Sequence, residues 1–517
     1  MAAQGEFSRG WPVLSAAAVG VGLGLSPLPF YTIGVFIPPL LGEFGASGWD
    51  VGFIINALAI YTFGAFASAP IIGLLAERFG ARRVALISII TFSLSMMAIG
   101  LNTGSKSLYI LLWMVLAFAG AGTLPITFTR PVANWFDTNR GIALGIALIA
   151  TGVFGAMAKF FAQYVTTHAD WRTAYFALGL LPLMIALPLN FLALRDLDDE
   201  PAKDASATRL KVPVLAISLL ATLAFIAVVL FQVTELIARN GVRLEYMLPF
   251  VYSVMILIPV GMMMFLRIGT EPPQRAQGTA AAAVSLPGMT LTEALGDWRF
   301  WLLAVVFVPI SYAVGAIIPN IENVLRANDF DQDTAVGLAT LTGLAVLAGR
   351  VIGGYLIDRF WAPGVAFVFL ASPAIALWML GQPGVGPNSA TFAILLIGFG
   401  AGVEYDFMAY MVSRFFGMRS YSAIYGAIYG FFALGAGLGP GIMTNLALGQ
   451  GLKIIEWDLG ILDGHDWQFT LTSAAIILFI STVPLLFLGK YRYGHGGSHE
   501  QKAAPADDVA AAELARS

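Results

Sequence analysis

The chain has 517 residues and a formal net charge of -3, with 58% hydrophobic and 11% charged residues. Soluble domains carry about 25% charged residues, so this composition predicts an integral membrane protein. The small net charge does not indicate a nucleic-acid partner. The sequence contains no cysteine, which excludes disulfides, thiolate metal sites and cysteine nucleophiles.

A transmembrane helix needs about 20 apolar residues, and the apolar runs of this chain predict about fourteen such helices. The first six predicted spans are residues 12–41, 50–75, 84–101, 107–135, 141–166 and 172–194. Two inserted spans follow at 213–237 and 246–267, and the last six are 300–325, 333–357, 363–381, 389–416, 420–448 and 467–489. Lys and Arg concentrate in alternate loops, which predicts that both termini are cytoplasmic and that the membrane is an inner or plasma membrane.

These runs divide the chain into four predicted regions. Residues 1–200 form a first six-helix bundle, and residues 201–299 contain a charged loop, the two inserted spans and a cytoplasmic linker. A short interfacial helix is predicted at Leu291–Leu295, just before a second six-helix bundle at 300–490. The Gly-, His- and Ala-rich tail at 491–517 is predicted to be a disordered cytoplasmic segment.

Two motifs recur at the same offset along the chain. Gly73-x-x-x-Glu77-Arg78 has a counterpart in Gly354-x-x-x-Asp358-Arg359, and each stands at the end of an apolar run. The same offset relates Tyr31-x-x-Gly34 to Tyr312-x-x-Gly315. Two motifs in one register indicate an internal duplication. In a membrane protein, two related halves are typical of a transporter that rocks around a central site.

The duplicated motif resembles the loop between the second and third helices of the major facilitator superfamily. This resemblance implies an all-α integral membrane protein with two six-helix bundles of the major facilitator type, here with two extra helices inserted between them. It also implies a conformational latch formed by Gly73, Glu77, Arg78, Arg82, Gly354, Asp358 and Arg359. In this latch the glycines permit close helix approach, and Glu77 pairs with Arg78, Arg82 or a neighbouring helix terminus. The other interpretation is an ordinary positive-inside loop.

A closer resemblance is to the group of monocarboxylate porters and oxalate:formate antiporters. It is carried by Asn134–Gly145, Phe415–Arg419, and Leu291–Leu295 followed by Phe300 and Trp301. The group has an arginine in its eighth helix that binds the substrate carboxylate, and Arg350 matches that position. The alternative is that Arg350 supports the latch.

Ionisable residues inside predicted spans are functional candidates, because each costs several kcal/mol unless it pairs or faces water. Arg130 either snorkels to the headgroups or faces the cavity as a second substrate ligand. Glu404 and Asp406 lie halfway along one span and, two residues apart on a helix, point to different faces. Burial favours the protonated form of a carboxyl group, so at least one of them is predicted to carry a proton. The alternative is a pair of structural ion-pair partners.

The tyrosines of the eleventh family helix repeat at helical spacing. Tyr421, Tyr425 and Tyr429 therefore share one helix face. Together with Tyr31 and Tyr312, the residues Tyr425 and Tyr429 are predicted to line a substrate cavity. The alternative is packing between helices with satisfied hydroxyl groups.

The sequence thus predicts a secondary active transporter that takes up a small organic anion together with protons by alternating access. The predicted anion is a monocarboxylate, and aromatic acids are candidates within this class. The basic groups within spans outnumber Glu404 and Asp406, which leaves a place for a substrate carboxylate. The predicted partners are this anion, protons and the lipid bilayer. No nucleotide-binding loop, metal cluster or hydrolytic constellation is visible, so no enzyme activity, cofactor or metal is expected. An organic anion exchanger and a non-transporting membrane receptor remain open alternatives.

Overall fold

The computed structural model describes residues 3–196, 287–454, 457–458 and 461–493. The two predicted inserted spans, at 213–237 and 246–267, lie outside the described residues, and so does the tail beyond residue 493. The remaining chain forms two helical halves, 3–196 and 287–493.

The first half is built from nine helical segments in the described residues. They are α1 (Ala3–Gly22), α2 (Leu28–Phe44), α3 (Val51–Phe79), α4 (Ala81–Ile99), α5 (Lys106–Ala119), α6 (Pro125–Trp135), α7 (Arg140–His168), α8 (Trp171–Leu181) and α9 (Leu187–Ala193). A π-helical turn, Pro182–Ala186, joins α8 to α9, so that the two make one continuous span.

The second half repeats this arrangement after a short capped helix. Its helices are α10 (Leu291–Leu295), α11 (Trp298–Ala327), α12 (Gln332–Arg359), α13 (Ala362–Leu380), α14 (Pro387–Phe415), α15 (Tyr421–Ala447) and α16 (Trp467–Thr482). Between α15 and α16, strands β1 (Lys453–Ile454) and β2 (Trp457–Asp458) form a small antiparallel hairpin, which the all-α prediction did not include. The bounds of α10 are those predicted, and Thr290 and Glu293 form a capping box at its start.

The helices meet the requirements of membrane spans. In the described part of the chain, ten helices are long and apolar enough to cross a membrane, and the pair α5 and α6, bent by 50°, would make one more. The helical membrane architecture is therefore as predicted, whereas the count of fourteen spans is not established by the described residues.

Two spans that the apolar pattern predicts as continuous are interrupted. The first breaks between Gly22 and Leu28, and the fourth breaks between α5 and α6. The backbone N–H of Leu25, in the first break, donates a hydrogen bond of 2.8 Å to Thr123 Oγ1, in the second. A Cβ atom on Gly24 would lie 2.7 Å from the carbonyl oxygen of Thr123, so glycine is needed for this approach. Irregular backbone is tolerated at membrane depth where the protein itself satisfies it.

The two halves meet along two helix pairs, α3 with α15 and α7 with α12. A Cβ atom on Gly73 would lie 2.3 Å from the Ser422 carbonyl oxygen, and one on Gly354 would lie 2.7 Å from the Gly141 carbonyl oxygen. Toward the other end of α12, a Cβ atom on Gly343 would meet nothing within 4 Å. We call the end that contains Gly73 and Gly354 the closed end and the opposite end the open end. The halves are thus in close contact at the closed end, and a cavity between them lies toward the open end.

Candidate functional site

A cavity of about 180 Å³ lies between the two halves on the side of the open end. A single water needs roughly 10–15 Å³ measured in this way, so the space accommodates a small organic molecule. The lining includes the break in the first span, both helix pairs and α14. Its polar and aromatic side chains include Ser26, Phe30, Tyr31, Tyr61, Arg350, Glu404, Tyr405, Tyr429 and Phe432.

Arg350 is the basic side chain of this cavity lining. It is 3% exposed, and within the described residues its Nε and Nη1 atoms have no hydrogen-bond partner. Two glycines let α7 and α14 pack against the turn of α12 that carries Arg350. Cβ atoms on Gly145 and Gly402 would lie only 2.9 Å and 3.2 Å from the Arg350 backbone. Buried donors are normally satisfied, so this guanidinium can bind a carboxylate that enters the cavity.

Glu404 and Asp406 face different surroundings, as their spacing predicts. Glu404 lines the cavity, whereas Asp406 is 1% exposed and its Oδ2 atom lies 3.5 Å from the Cβ position of Gly145. Arg350 interacts electrostatically with both carboxyl groups. Neither oxygen of Asp406 has a hydrogen-bond partner among the described residues. Both carboxyl groups therefore lie in the electrostatic field of one arginine, without a hydrogen bond to it among the described residues.

Aromatic rings form one wall of the cavity. The rings of Tyr405 and Tyr429 are stacked, with centroids 5.9 Å apart and an interplanar angle of 26°. The Tyr405 and Phe432 centroids are 4.8 Å apart. Tyr31 is 38% exposed and interacts electrostatically with Arg350. The wall can therefore take up a flat apolar ring whose charged group lies at the arginine.

Three residues predicted to bind substrate do not line this cavity. Arg130 is buried and forms a salt bridge of 3.0 Å from its Nε to Asp196 Oδ2. Tyr425 is buried against Tyr421, with centroids 5.8 Å apart. The Tyr312 backbone packs against α15. The cavity lining holds one arginine, Arg350, and one carboxyl group, Glu404, so the excess of basic groups expected from the spans is not found in this lining.

Sequence reasoning missed other lining residues, among them Ser26, Tyr61 and Tyr405. Ser26 precedes Pro27, which lacks a backbone N–H and so favours a break in the span. Tyr405 stands between the two acidic residues in the sequence. These two local signals could have indicated the residues, whereas nothing in the local pattern singles out Tyr61.

At the closed end, each of the two duplicated acidic residues accepts hydrogen bonds from the opposite half. Glu77 Oε1 accepts a hydrogen bond of 3.0 Å from the backbone N–H of Ala423, in the first turn of α15. Asp358 accepts hydrogen bonds of 2.7 Å and 3.0 Å from the N–H groups of Gly141 and Ile142, in the first turn of α7. Each half thus caps a helix of the other, and a carboxylate at a helix N-terminus is electrostatically favourable.

The contacts described for the arginines predicted to belong to the latch are with aromatic rings of their own half. The guanidinium groups of Arg78, Arg82 and Arg359 lie over the rings of Phe79, Phe191 and Tyr355, at 5.4, 5.2 and 3.6 Å. Two other arginines, which the motif did not indicate, bridge the halves. Arg414 Nη1 lies 3.3 Å from Asp137 Oδ1, and Arg140 Nη1 donates to Ser413 Oγ at 3.1 Å.

A family model described as Major Facilitator Superfamily matches residues 19–266 and 235–440. The gallate transporter of Pseudomonas putida is 23% identical over 84% of this chain and 87% of its own length. The tetracenomycin C resistance and export protein of Streptomyces glaucescens is 23% identical over 77% of this chain and 68% of its own length. Monocarboxylate transporter 4 of Mus musculus is 27% identical, over 33% of this chain and 35% of its own length.

Two solved structures share the fold over nearly the whole chain. The human organic anion transporter MFSD10 has a TM-score of 0.59 at 13% identity, covering 92% of this chain and 99% of its own. The proton:xylose symporter XylE has a TM-score of 0.57 at 12% identity, covering 94% and 97%. At these identities the likeness concerns the architecture.

Proposed function

The chain belongs to the major facilitator superfamily, and we propose that it takes up a small organic monocarboxylate, with aromatic acids preferred, together with protons. The observation that carries this proposal is the buried Arg350 guanidinium in an aromatic cavity between the halves. The gallate transporter, which is similar over most of both chains, supports an aromatic acid as substrate. Monocarboxylate transporter 4 supports a carboxylate more generally.

In the proposed complex the substrate carboxylate pairs with Arg350. An arginine can hold a carboxylate through two parallel hydrogen bonds, which fixes its orientation as well as its charge. The ring then lies along the wall formed by Tyr405, Tyr429 and Phe432. A small aliphatic acid would pair with the same arginine and leave this wall unused, so aromatic acids should bind more tightly.

Proton coupling follows from the charge balance around Arg350. An uncompensated buried charge costs several kcal/mol, so the empty site is most stable with one ionised carboxyl group beside the arginine. An entering carboxylate takes over this role, and the displaced carboxylate is then neutralised by a proton. The expected stoichiometry is therefore about one proton for each anion, and transport is electrically neutral. Glu404 is the better candidate for this exchange, because it lines the cavity.

Alternating access needs two arrangements of the same halves. The contacts of Glu77 and Asp358 hold the closed end together, while the cavity opens on the other side. The concentration of basic loops supports a cytoplasmic closed end and cytoplasmic termini. The conformation described here is then outward-facing, ready to receive substrate from outside the cell membrane.

Uptake into proteoliposomes tests this function directly. When the outside is acidified, proteoliposomes should take up labelled benzoate faster than protein-free liposomes, into which benzoic acid diffuses unaided, and this difference should disappear without a pH gradient. Exchange of internal for external benzoate that is independent of pH would identify an organic anion exchanger. Specific binding with no transport of any kind would favour a receptor.

A further inference from the structure

The N-terminal helix places one carboxylate on the turn that precedes α7. Glu6, near the start of α1, accepts hydrogen bonds of 3.2, 3.0 and 3.1 Å from the backbone N–H groups of Asp137, Thr138 and Asn139. Its Oε2 atom also accepts a hydrogen bond of 3.1 Å from the Asn139 side chain. One side chain thus holds three consecutive peptide groups of a turn that is distant in the sequence.

The same turn carries a contact between the two halves. Arg414 Nη1 lies 3.3 Å from Asp137 Oδ1, and Arg414 Nη2 donates a hydrogen bond of 3.1 Å to the backbone carbonyl of Asp137. Asp137 is therefore held by its N–H from Glu6 of its own half and by its C=O from the opposite half. Because hydrogen bonds weaken steeply with poor alignment, the contact with Arg414 depends on where this turn lies.

Arg414 itself is fixed within the second half. Its backbone carbonyl accepts hydrogen bonds of 3.1 and 3.0 Å from the N–H groups of Arg492 and Tyr493. Its guanidinium group is buried and lies 5.0 Å from the centre of the Tyr410 ring. Closely packed side chains have little room to move, so Arg414 cannot follow the turn if the turn is displaced.

The turn also leads directly into the residues that Asp358 caps. The N–H groups of Gly141 and Ile142, which donate to Asp358 of the other half, follow two residues after Asn139. The contacts of Glu6 lie within the first half, so they persist when the halves separate. Glu6 thus keeps ordered a surface that the second half engages and leaves, and an ordered surface loses less freedom on each engagement.

We propose that Glu6 is a positioning residue for transport, which holds the turn at residues 137–139 in place for Arg414 and Asp358 each time the closed end forms. This inference concerns the closed end and does not depend on which anion is carried. Without the Glu6 carboxylate the closed end is weakened. The balance of conformations then shifts toward those in which the closed end is open and the cavity is shut on its other side.

Two single-thiol reporters in the full-length protein, which has no cysteine, test the proposal by maleimide labelling in detergent. Ser422→Cys reports the closed end, and Gly152→Cys reports the cavity lining, where a Cβ atom meets nothing within 4 Å. Glu6→Gln should accelerate labelling at Ser422→Cys about two- to tenfold, the effect of losing roughly one net hydrogen bond. Labelling at Gly152→Cys should slow as the cavity shuts. Glu322→Gln, at an exposed surface pair, should change neither.

A double-mutant cycle shows whether Glu6 acts through the contact between the halves. In an Arg414→Gln background that contact is already lost, so the effect of Glu6→Gln should shrink. Asp137→Asn provides a milder second background, and thermal unfolding establishes that each variant is folded.

Three results would overturn the positioning role of Glu6. They are unchanged labelling in Glu6→Gln, faster labelling at both reporters, and an equal effect of Glu6→Gln in every background. The last two would show that this carboxylate only ties the N-terminal helix to the bundle. Benzoate binding at Arg350, measured separately by titration calorimetry, bears on the proposed function and not on this inference.

Discussion

Glu404 and Asp406 stand two residues apart on α14, yet only Glu404 lines the cavity between the halves, while Asp406 faces Gly145 of α7. Both interact with Arg350. Glu404 can therefore exchange a proton with water in the open cavity. Asp406 lies in the contact between the halves, and water reaches it when that contact opens.

This difference predicts distinct phenotypes for the two carboxyl groups. Glu404→Gln mimics a permanently protonated side chain, so pH-driven accumulation should be lost while exchange of internal for external substrate continues. Asp406→Asn should retain accumulation at a reduced rate, because Glu404 still titrates. Proteoliposome uptake at matched protein content measures both activities. The reverse pattern, with accumulation lost only in Asp406→Asn, would assign coupling to Asp406.

Arg350→Lys should reduce substrate affinity by about tenfold or more while the protein remains folded, since lysine keeps the charge but lacks the planar two-pronged donor. Titration calorimetry with benzoate gives the affinity, and thermal unfolding gives the stability. Arg326→Lys is a matched control, because Arg326 is exposed and forms a 3.8 Å surface pair with Glu322. Normal benzoate binding by Arg350→Lys would instead assign this arginine to holding the halves together.

Glu77→Gln and Asp358→Asn each weaken one of the two reciprocal caps. Both substitutions should therefore shift the balance of conformations toward opening of the closed end. Each variant keeps an acceptor oxygen but loses the charge that favours a helix N-terminus, worth about 0.3–1 kcal/mol, so the balance of states should change roughly two- to fivefold. The chain contains no cysteine, and a Ser422→Cys substitution at this buried position introduces a single thiol as a reporter. Labelling of this thiol from the closed end by an impermeant maleimide should accelerate in both variants. Unchanged labelling in both would remove the latch role of the acids.

The glycines of the same motif make a steric prediction. A Cβ atom on Gly73 would lie 2.3 Å from the Ser422 carbonyl oxygen, so Gly73→Ala should separate the halves at the closed end and slow transport. Gly343→Ala is the control, because a Cβ atom there meets nothing within 4 Å. The uptake rate, together with maleimide labelling of the reporter thiol in the Ser422→Cys background, measures both effects. Equal rates for the two variants would show that the approach at Gly73 is not required for closure.

The parts of the site that the sequence predicts are those with a local signature. The duplicated Gly-x-x-x-acid motif marks Glu77 and Asp358, and a charge in an apolar run marks Arg350 and Glu404. The rotation of each helix about its own axis depends on packing between helices. For that reason Tyr429 reaches the cavity and Tyr425, one turn away, does not.

Breaks within spans, and pairs of residues that are distant in the sequence, are harder to predict from the sequence. The apolar run continues through the break that precedes Leu28, so hydropathy alone gives one span where the structure has two helices. The sequence does not decide whether Arg130 faces the lipid headgroups or the cavity, because its partner Asp196 lies after the end of the last helix of the same half. Such a pairing follows only from the tertiary arrangement of the bundle.

The two caps at the closed end behave as a bivalent attachment. Glu77 holds α15 and Asp358 holds α7, so when one contact opens, the other keeps the two halves at a high effective concentration of each other, and reclosure is fast. The two caps thus strengthen each other, and they add to the contacts of Arg414 with Asp137 and of Arg140 with Ser413 between the same halves. Opening of the closed end then requires both contacts to be lost together, so partial loosening at one cap is quickly reversed.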